Sequence, residues 1–340
     1  MDGGRRFGRI EEAPAPLLIM DIPKHYVTAE KTEHHAEIFA NRLKNRYRHL
    51  SRKFRKQYID AFRLYDRDIP EVRAVVDWYQ GHLVIGEYVR LQTGPEWLPR
   101  MAQAAGEALN VPPEKIFLKR RQTRSGRDER YTRTEVKGKR FVVSERDLRF
   151  WVNLDGFLDT GLFSDHRNTR VLVREMAKGR DFLNLYAYTG SFSAAAALGG
   201  ARSIATVDRS ATYINWAKDN FKLNAIHNRA YEFVRSDAEE YLESLRKRKR
   251  KFTLAFVDPP SFSQRRGTGL FNINSHHTEL LEKVFAVMAK GSTVFFSTNH
   301  QRFDPKLNRL KVKAIKELTP QTIPEDYRNK LIHRCWQIDL

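Results

Sequence analysis

Two periodicities of apolar residues divide the chain. From Arg180 onward, short continuous apolar runs alternate with stripes at helical spacing. DFLNLYAY (181–188), SIATVD (203–208), YEFVRSD (231–237), FTLAFVD (252–258) and STVFFST (292–298) lack a regular polar face, so they predict buried parallel strands. Between them SFSAAAAL, ATYINWAKDNFKLN, AEEYLESLRKRKRK and HTELLEKVFAVMAKG predict helices; Gly199-Gly200 closes the first and Ser210 caps the second. VKAIKELT (312–319) and LIHRCWQID (331–339) supply two more strands, giving seven. The alternation predicts an open α/β sheet, whose ligands sit beyond the carboxyl ends of its strands.

The first half reads differently. RAVVDWYQGHLVIGEYV (73–89) predicts two strands around a Gln80-Gly81 turn, EWLPRMAQAAGEALNV (96–111) a helix ending at Asn110, and KIFLKRRQ (115–122) a further strand. A long basic loop containing Tyr131 follows, SGRDERYTRTEVKGKR (125–140). This places a small α+β domain at 61–149, after a leader and basic helix at 1–60. The sheet domain at 150–340 opens on an extended hairpin, FWVNLDGFLDTGLFSDHR (150–167). Pro, Gly and mixed charge make residues 1–30 read as a poorly ordered or loosely docked leader.

Composition changes this picture mainly through charge. Lys plus Arg number 61 against 41 Asp plus Glu, a formal charge of +20 at pH 7. Such a field favours a polyanion, and RNA is the first candidate. Arg42, Lys44, Arg46, Arg48, Arg52, Lys53, Arg55 and Lys56 fall between Asn41 and Gln57 with no acid among them. They lie on a helix whose apolar seam is Leu43, Tyr47, Leu50 and Phe54. That helix reads either as an RNA-backbone contact or as a solvated helix laid across the body. Arginines around Tyr131 suit RNA, and RKRKRK (246–251) either tracks RNA or ends a helix in solvent. No apolar run approaches the roughly 20 residues of a membrane-spanning helix, and no apolar signal core opens the chain. The single cysteine, Cys335, excludes an internal disulfide and a cysteine-cluster metal site. No metal is expected, and a reducing cytoplasm is the expected setting.

Candidate chemistry collects at the predicted strand ends. Tyr188-Thr189-Gly190 follows the first strand, and Asp208, Asp237 and Asp258 end the next three. Asp208 lies 24 positions after Asn184, where an acidic side chain can accept both hydroxyls of a ribose. YAYTGSFS offers one glycine in place of GxGxxG, so the several close amides that a pyrophosphate needs are missing. A ligand with adenine and ribose but no phosphate fits better, and S-adenosylmethionine is such a ligand.

Several stretches carry a resemblance: RLYDRDIPE (63–71), WVNLDGFLDTGLFSDHR (151–167), DFLNLYAYTGS (181–191), LGGARS (198–203), TVDRS (206–210), FVDPPSFS (256–263), FSTN (296–299) and IHRCW (332–336). They are similar to class I S-adenosylmethionine-dependent methyltransferases. More narrowly, they resemble the K half of the bacterial 23S rRNA methyltransferases K/L, which methylate guanine at N7. The resemblance implies a Rossmann-like seven-stranded methyltransferase domain, with the 61–149 module helping to hold RNA. It implies that Asp208 holds the ribose with Arg209 beside it, and that Asp237 and Ala238 meet the adenine. Tyr186, Tyr188, Thr189 and Gly190 would form the turn against the cofactor. Phe163, Asp165 and Arg167 would close over it, Asp165 toward the methionine amino group. The implied partner is 23S rRNA, free or in a large-subunit precursor. In many bacteria this half is fused to a second methyltransferase.

DPPSFS (258–263) then acquires a role. Two prolines stiffen the turn after the fourth strand, so the Asp258 carboxylate and the Pro259 carbonyl hold fixed positions. Phe262 can stack on an extracted base. Asp258, Pro259 and Phe262 form the candidate catalytic set, with Asp258 also reaching the cofactor. Guanine N7 has a free lone pair and needs no general base. An exocyclic amine, guanine N2 or adenine N6, would use the same turn, so the motif leaves those positions open. A non-catalytic RNA-binding role in ribosome assembly also stays open. Thiolate-dependent methylation of a pyrimidine C5 is disfavoured: the fifth strand runs into FSTNHQRF, with Thr298 and Asn299, and Cys335 and His333 read as structural.

Overall fold

A computed structural model of the chain describes residues 27–88, 93–121, 138–156, 159–265 and 269–340. The leader to residue 26 and almost all of the basic loop around Tyr131 lie outside these residues. Helix α1 (Ala29–Arg55) starts well before the basic run. Thr28 caps it by accepting the Lys31 N–H, and Arg52, Lys53 and Arg55 in its last turn complement the helix dipole. Its buried face (Ala36, Phe39, Leu43, Leu50, Phe54) packs with α2 (Trp97–Leu109) and a four-stranded sheet in one core. The strands are β1 (Ala61–Asp66), β2 (Ala74–Tyr79), β3 (His82–Tyr88) and β4 (Ile116–Arg121), side by side in that order. The basic helix therefore shares a hydrophobic core with the four strands that follow residue 60. Gln80 and Gly81 both take positive φ (45° and 87°), which matches the twist of the β2–β3 hairpin. Strand β1 has no counterpart in the sequence reading, because it is buried along its whole length, Arg63 and Asp66 included.

The expected hairpin lies earlier than 150–167, as β5 (Arg140–Glu145) and β6 (Leu148–Asn153). Residues 164–166 form a helical turn that runs into α3 (Arg167–Met176). Strand β6 crosses the boundary expected at 149/150, and its Leu148, Phe150 and Val152 belong to the core under the larger sheet.

The remaining elements are β7 (Asp181–Leu185), α4 (Ser191–Leu198), β8 (Ser203–Asp208), α5 (Ala211–Leu223), β9 (Tyr231–Arg235), α6 (Ala238–Lys247), β10 (Phe252–Val257), the short hairpin β11 (Phe262–Arg265) and β12 (Gly269–Asn272), α7 (Ile273–Phe285), β13 (Met288–Thr298), β14 (Ala314–Glu317), α8 (Thr319–Thr322) and β15 (Arg334–Asp339). The seven-stranded sheet expected from the sequence is present, in the order β14-β15-β13-β10-β7-β8-β9. Strand β15 is antiparallel to both neighbours, and β13, β10, β7, β8 and β9 are parallel. Leu183, Leu185, Ala205, Val207, Ala255 and Val257 pack on one face, and Phe182, Ile204, Leu254, Phe256 and Phe295 on the other. Burial of both faces is why these strands read as continuous apolar runs. The connections reverse direction between β7 and β10, and a crevice opens there beyond the strand ends. Among the described residues, no helix is long and apolar enough to cross a membrane.

Candidate active site

The chain leaves β7 through an unusual coil. Tyr186, Tyr188 and Gly190 all occupy left-handed backbone (φ 56°, 51° and 73°). For the two tyrosines this stores roughly 1–3 kcal/mol of strain each, which the surroundings must sustain. They do so with hydrogen bonds: the Tyr188 N–H donates to Asp208 Oδ2 (2.9 Å), the Gly161 N–H to the Tyr188 hydroxyl (2.9 Å), and Thr189 Oγ1 to the Gly161 carbonyl (2.7 Å). A Cβ at Gly190 would stand 2.7 Å from Ala217 Cβ on α5. Gly190→Ala is therefore expected to cost about 1–3 kcal/mol, read as a lower melting temperature, and to loosen cofactor binding by displacing this coil.

Asp208 stands at the carboxyl end of β8. Its Oδ1 accepts the Ser210 N–H (2.8 Å) and its Oδ2 that of Tyr188, which leaves each oxygen a lone pair for a ligand. Burial pushes its pKa up, against those two N–H donors. Asp237 caps α6, its Oδ1 accepting the Glu239 and Glu240 N–H groups (2.9 and 3.4 Å), and still lines the crevice with Ala238. Phe163, Tyr186, Tyr188, Asp208, Arg209, Asp258 and Pro259 line the same space.

Four expected cofactor residues, Asp165, Arg167, Thr189 and Gly190, do not. Thr189 is fully buried and spent on the Gly161 carbonyl. Arg167 is buried in an ion pair with Asp326 (3.2 Å), donates to the Ala61 carbonyl and lies over the Phe54 ring, so it ties the small domain to α3. Asp165 sits outside the crevice wall, paired with His333 Nδ1 (3.0 Å). Gly190 precedes α4 as its left-handed cap residue, and Phe262 is exposed but does not line the crevice, although Ser261 and Ser263 on either side of it do.

The crevice also brings in residues that the sequence reading did not single out: Asp159, His166, Arg170, Ser261 and Asn299. The signal for two of them was present, since His166 lies within SDHR and Asn299 within FSTN. His166 Nε2 lies 3.6 Å from Asp258 Oδ2 and 3.9 Å from Asp165 Oδ2. Burial disfavours its charge, but Asp165 and then Asp258 outweigh burial and raise its pKa. Its ring stacks on that of His333 (4.0 Å between centroids, 14° between planes), whose pKa burial and His166 lower. Asp165, His166 and His333 come close enough to suggest a metal. A metal lies near the plane of every imidazole that binds it, however, and two stacked parallel rings share no such point. Cys335 is buried in β15, where desolvation pushes its thiol pKa up, away from the reactive thiolate.

The donor set can be matched against a ligand. Asp208, Asp237 and Asp258 present carboxylates among the aromatic rings of Phe163 and Tyr186. Arg170 on the same wall is already paired with Glu145 (2.7 and 2.6 Å). Such a lining fits a cationic nucleoside without phosphates, and S-adenosylmethionine has that chemistry. The family described as S-adenosylmethionine-dependent methyltransferase matches residues 66–318. The chain is 41% identical over 306 residues to Ribosomal RNA large subunit methyltransferase K of Neisseria meningitidis serogroup B, covering 88% of this chain and 86% of that protein. It is 40% identical over 312 residues to Ribosomal RNA large subunit methyltransferase K/L of Shewanella loihica, covering 89% of this chain but only 43% of that protein. A solved structure described as a methyltransferase complexed with SAH shares the fold, at a TM-score of 0.71 and 19% identity over 91% of this chain and 82% of that one. Sequence and crevice thus agree, and the chain belongs to the S-adenosylmethionine-dependent methyltransferase family, as an enzyme that takes S-adenosylmethionine as its methyl donor.

Proposed function

We propose that the protein methylates a guanine of 23S ribosomal RNA at N7, in free RNA or in a large-subunit precursor. The observation that carries this reading is a carboxylate and an aromatic face held together on one stiff turn. Asp258 lines the crevice, and Phe262, 51% exposed, lies on the same turn between Ser261 and Ser263 of the lining, with its ring 5.8 Å from that of His300. An unstacked base can rest on such a ring. Bound S-adenosylmethionine supplies an electrophilic methyl group on a positive sulfur. The chain's part is alignment: Asp208 takes the ribose hydroxyls, Asp237 and Ala238 flank the adenine, Phe163 and Tyr186 wall it, and Asp258 stands beside the acceptor base.

Transfer to an exocyclic amine must release a proton, whereas transfer to N7 need not. Asp258 Oδ2 lies 3.6 Å from His166 Nε2, so this carboxylate already has a partner inside the protein. Methylation at N7 leaves a positively charged purine, which the same carboxylate offsets. The names of both relatives support large-subunit rRNA as the substrate. The test is to incubate 23S rRNA with purified protein and labelled donor and to identify the product nucleoside. N7-methylguanine is expected; N2-methylguanine or N6-methyladenine would replace this reading. Phe262→Ala should slow turnover about 10- to 100-fold, since base–aromatic stacking contributes roughly 1–3 kcal/mol, and should leave donor affinity by calorimetry unchanged.

A further inference from the structure

Residues 324–331, between α8 and β15, run from the small domain to the mouth of the crevice. Lys53 of α1 pairs with Glu325, and the Asp326 carbonyl accepts from Arg46 (2.9 Å). Asp326 also accepts the Arg63 N–H through its carboxylate (2.8 Å). The Arg328 guanidinium donates to the Arg67 carbonyl (2.6 Å), and the Asn329 N–H to Asp66 (2.8 Å). At the other end Gln301 Nε2 donates to the Leu331 carbonyl (3.1 Å), two residues beyond Asn299 of the crevice lining.

Charge is sorted by depth along this path. Asp66 and Asp326 are buried, and the Asp68 carboxylate, paired with Arg42, is nearly so. Arg302, Arg328 and Lys330 face solvent, and Lys44, Arg48, Arg52 and Arg55 on α1 and its C-cap Lys56 do the same. With those three acids turned inward and the exposed Glu325 paired with Lys53, a cationic row is left from α1 across the domain junction to the crevice mouth. RKRKRK is placed differently. Helix α6 starts at the rim with its cap Asp237 and runs back down the sheet, so Lys247 lies about 15 Å from the crevice end. Two cations of that run are also engaged, Arg246 with Glu243 and Arg250 with Glu232.

We propose that the 324–331 segment and the Arg302 corner form a phosphate track that leads the RNA strand from α1 to the crevice, with Arg302, Arg328 and Lys330 contacting its backbone nearest the reacting base. This rests on the proposed RNA substrate. It goes beyond that reading by assigning the strand's path to a junction loop rather than to the most basic run of the sequence. The neutralised variant Arg302→Gln/Arg328→Gln/Lys330→Gln tests it against a far-side control, Lys247→Gln/Arg248→Gln/Lys249→Gln. Binding of a 23S rRNA transcript is measured from low to moderate salt. The track variant should bind about 10- to 100-fold more weakly at low salt, with a log–log salt slope shallower by about 2, as three lost phosphate contacts on a single strand require. The control should match the wild type, and both variants should keep wild-type donor affinity. An unchanged slope in the track variant, or an equal loss in the control, would overturn the track and leave methyl transfer to RNA standing. Wild-type protein that binds no RNA would overturn both.

Discussion

Asp208→Ala is expected to raise the dissociation constant for S-adenosylmethionine about 100- to 10,000-fold by calorimetry. Each oxygen of the carboxylate already accepts one backbone N–H, from Ser210 and from Tyr188, and keeps one lone pair for a ribose hydroxyl. Hydrogen bonds to a charged group contribute roughly 1.5–3 kcal/mol each, so losing two accounts for the expected range. Asp208→Asn retains one acceptor and the shape, and should fall between the two. Asp181 at the opposite end of β7 makes an exposed ion pair with Arg202, so Asp181→Ala should leave donor affinity unchanged. The pH dependence has a definite sign. Burial raises the Asp208 pKa, and the ribose needs the ionised form, so affinity should start to fall at a higher pH than an ordinary aspartate would give. An alanine variant that binds within a few-fold of wild type would remove Asp208 from the site.

The large sheet was legible because its strands are buried on both faces and its helices carry one apolar stripe each. Phe182, Leu183, Leu185 and Phe256, Val257 leave no doubt about a strand. Helix α3 was not legible for the opposite reason. Its buried residues are Arg167, Thr169, Arg170 and Val173, so the face that packs inward is mostly polar and the hydrophobic period points nowhere. Strand β1 hid in the same way, with Arg63 and Asp66 inside. The site divides along this line. Asp208 and Asp258 follow strands that read clearly, and both reach the crevice. Asp165 and Arg167 lie on the stretch read as a hairpin, and both turn out to be buried partners of His333 and Asp326. His166, at the end of that stretch, and Arg170, just beyond it, both reach the crevice because a helix, unlike a strand, brings positions four apart to one face. No periodicity could have announced the coil at Tyr186 and Tyr188, since tyrosine is not a residue that favours left-handed backbone.

The second large effect is expected where charge is buried without solvent. Arg170 and Glu145 are 2% and 4% exposed at the side chain and meet through two hydrogen bonds, and Arg170 also donates to the Phe163 carbonyl (3.0 Å). Glu145→Gln leaves the guanidinium buried without its counter-charge and should cost about 3–5 kcal/mol in denaturant unfolding. Burial alone would raise the Glu145 pKa, but Arg170 more than offsets it and the folded value lies below 4.5. The pair therefore contributes its full stability above pH 4.5 and loses it as pH falls from there through the lower folded value. Replacing both partners, as Glu145→Met/Arg170→Met, removes two desolvation penalties along with the attraction and should return most of the lost stability. That recovery makes the pair's purpose separable from its energy. If it exists to fix Phe163 against the crevice, the stable double variant still binds S-adenosylmethionine about tenfold more weakly than wild type, because the Phe163 carbonyl has lost the guanidinium that anchors it. A double variant with both wild-type stability and wild-type donor affinity would show that the pair only fills space between α3 and β5. A single variant that unfolds within about 1 kcal/mol of wild type, less than an orphaned buried charge can cost, would show that water reaches the pair.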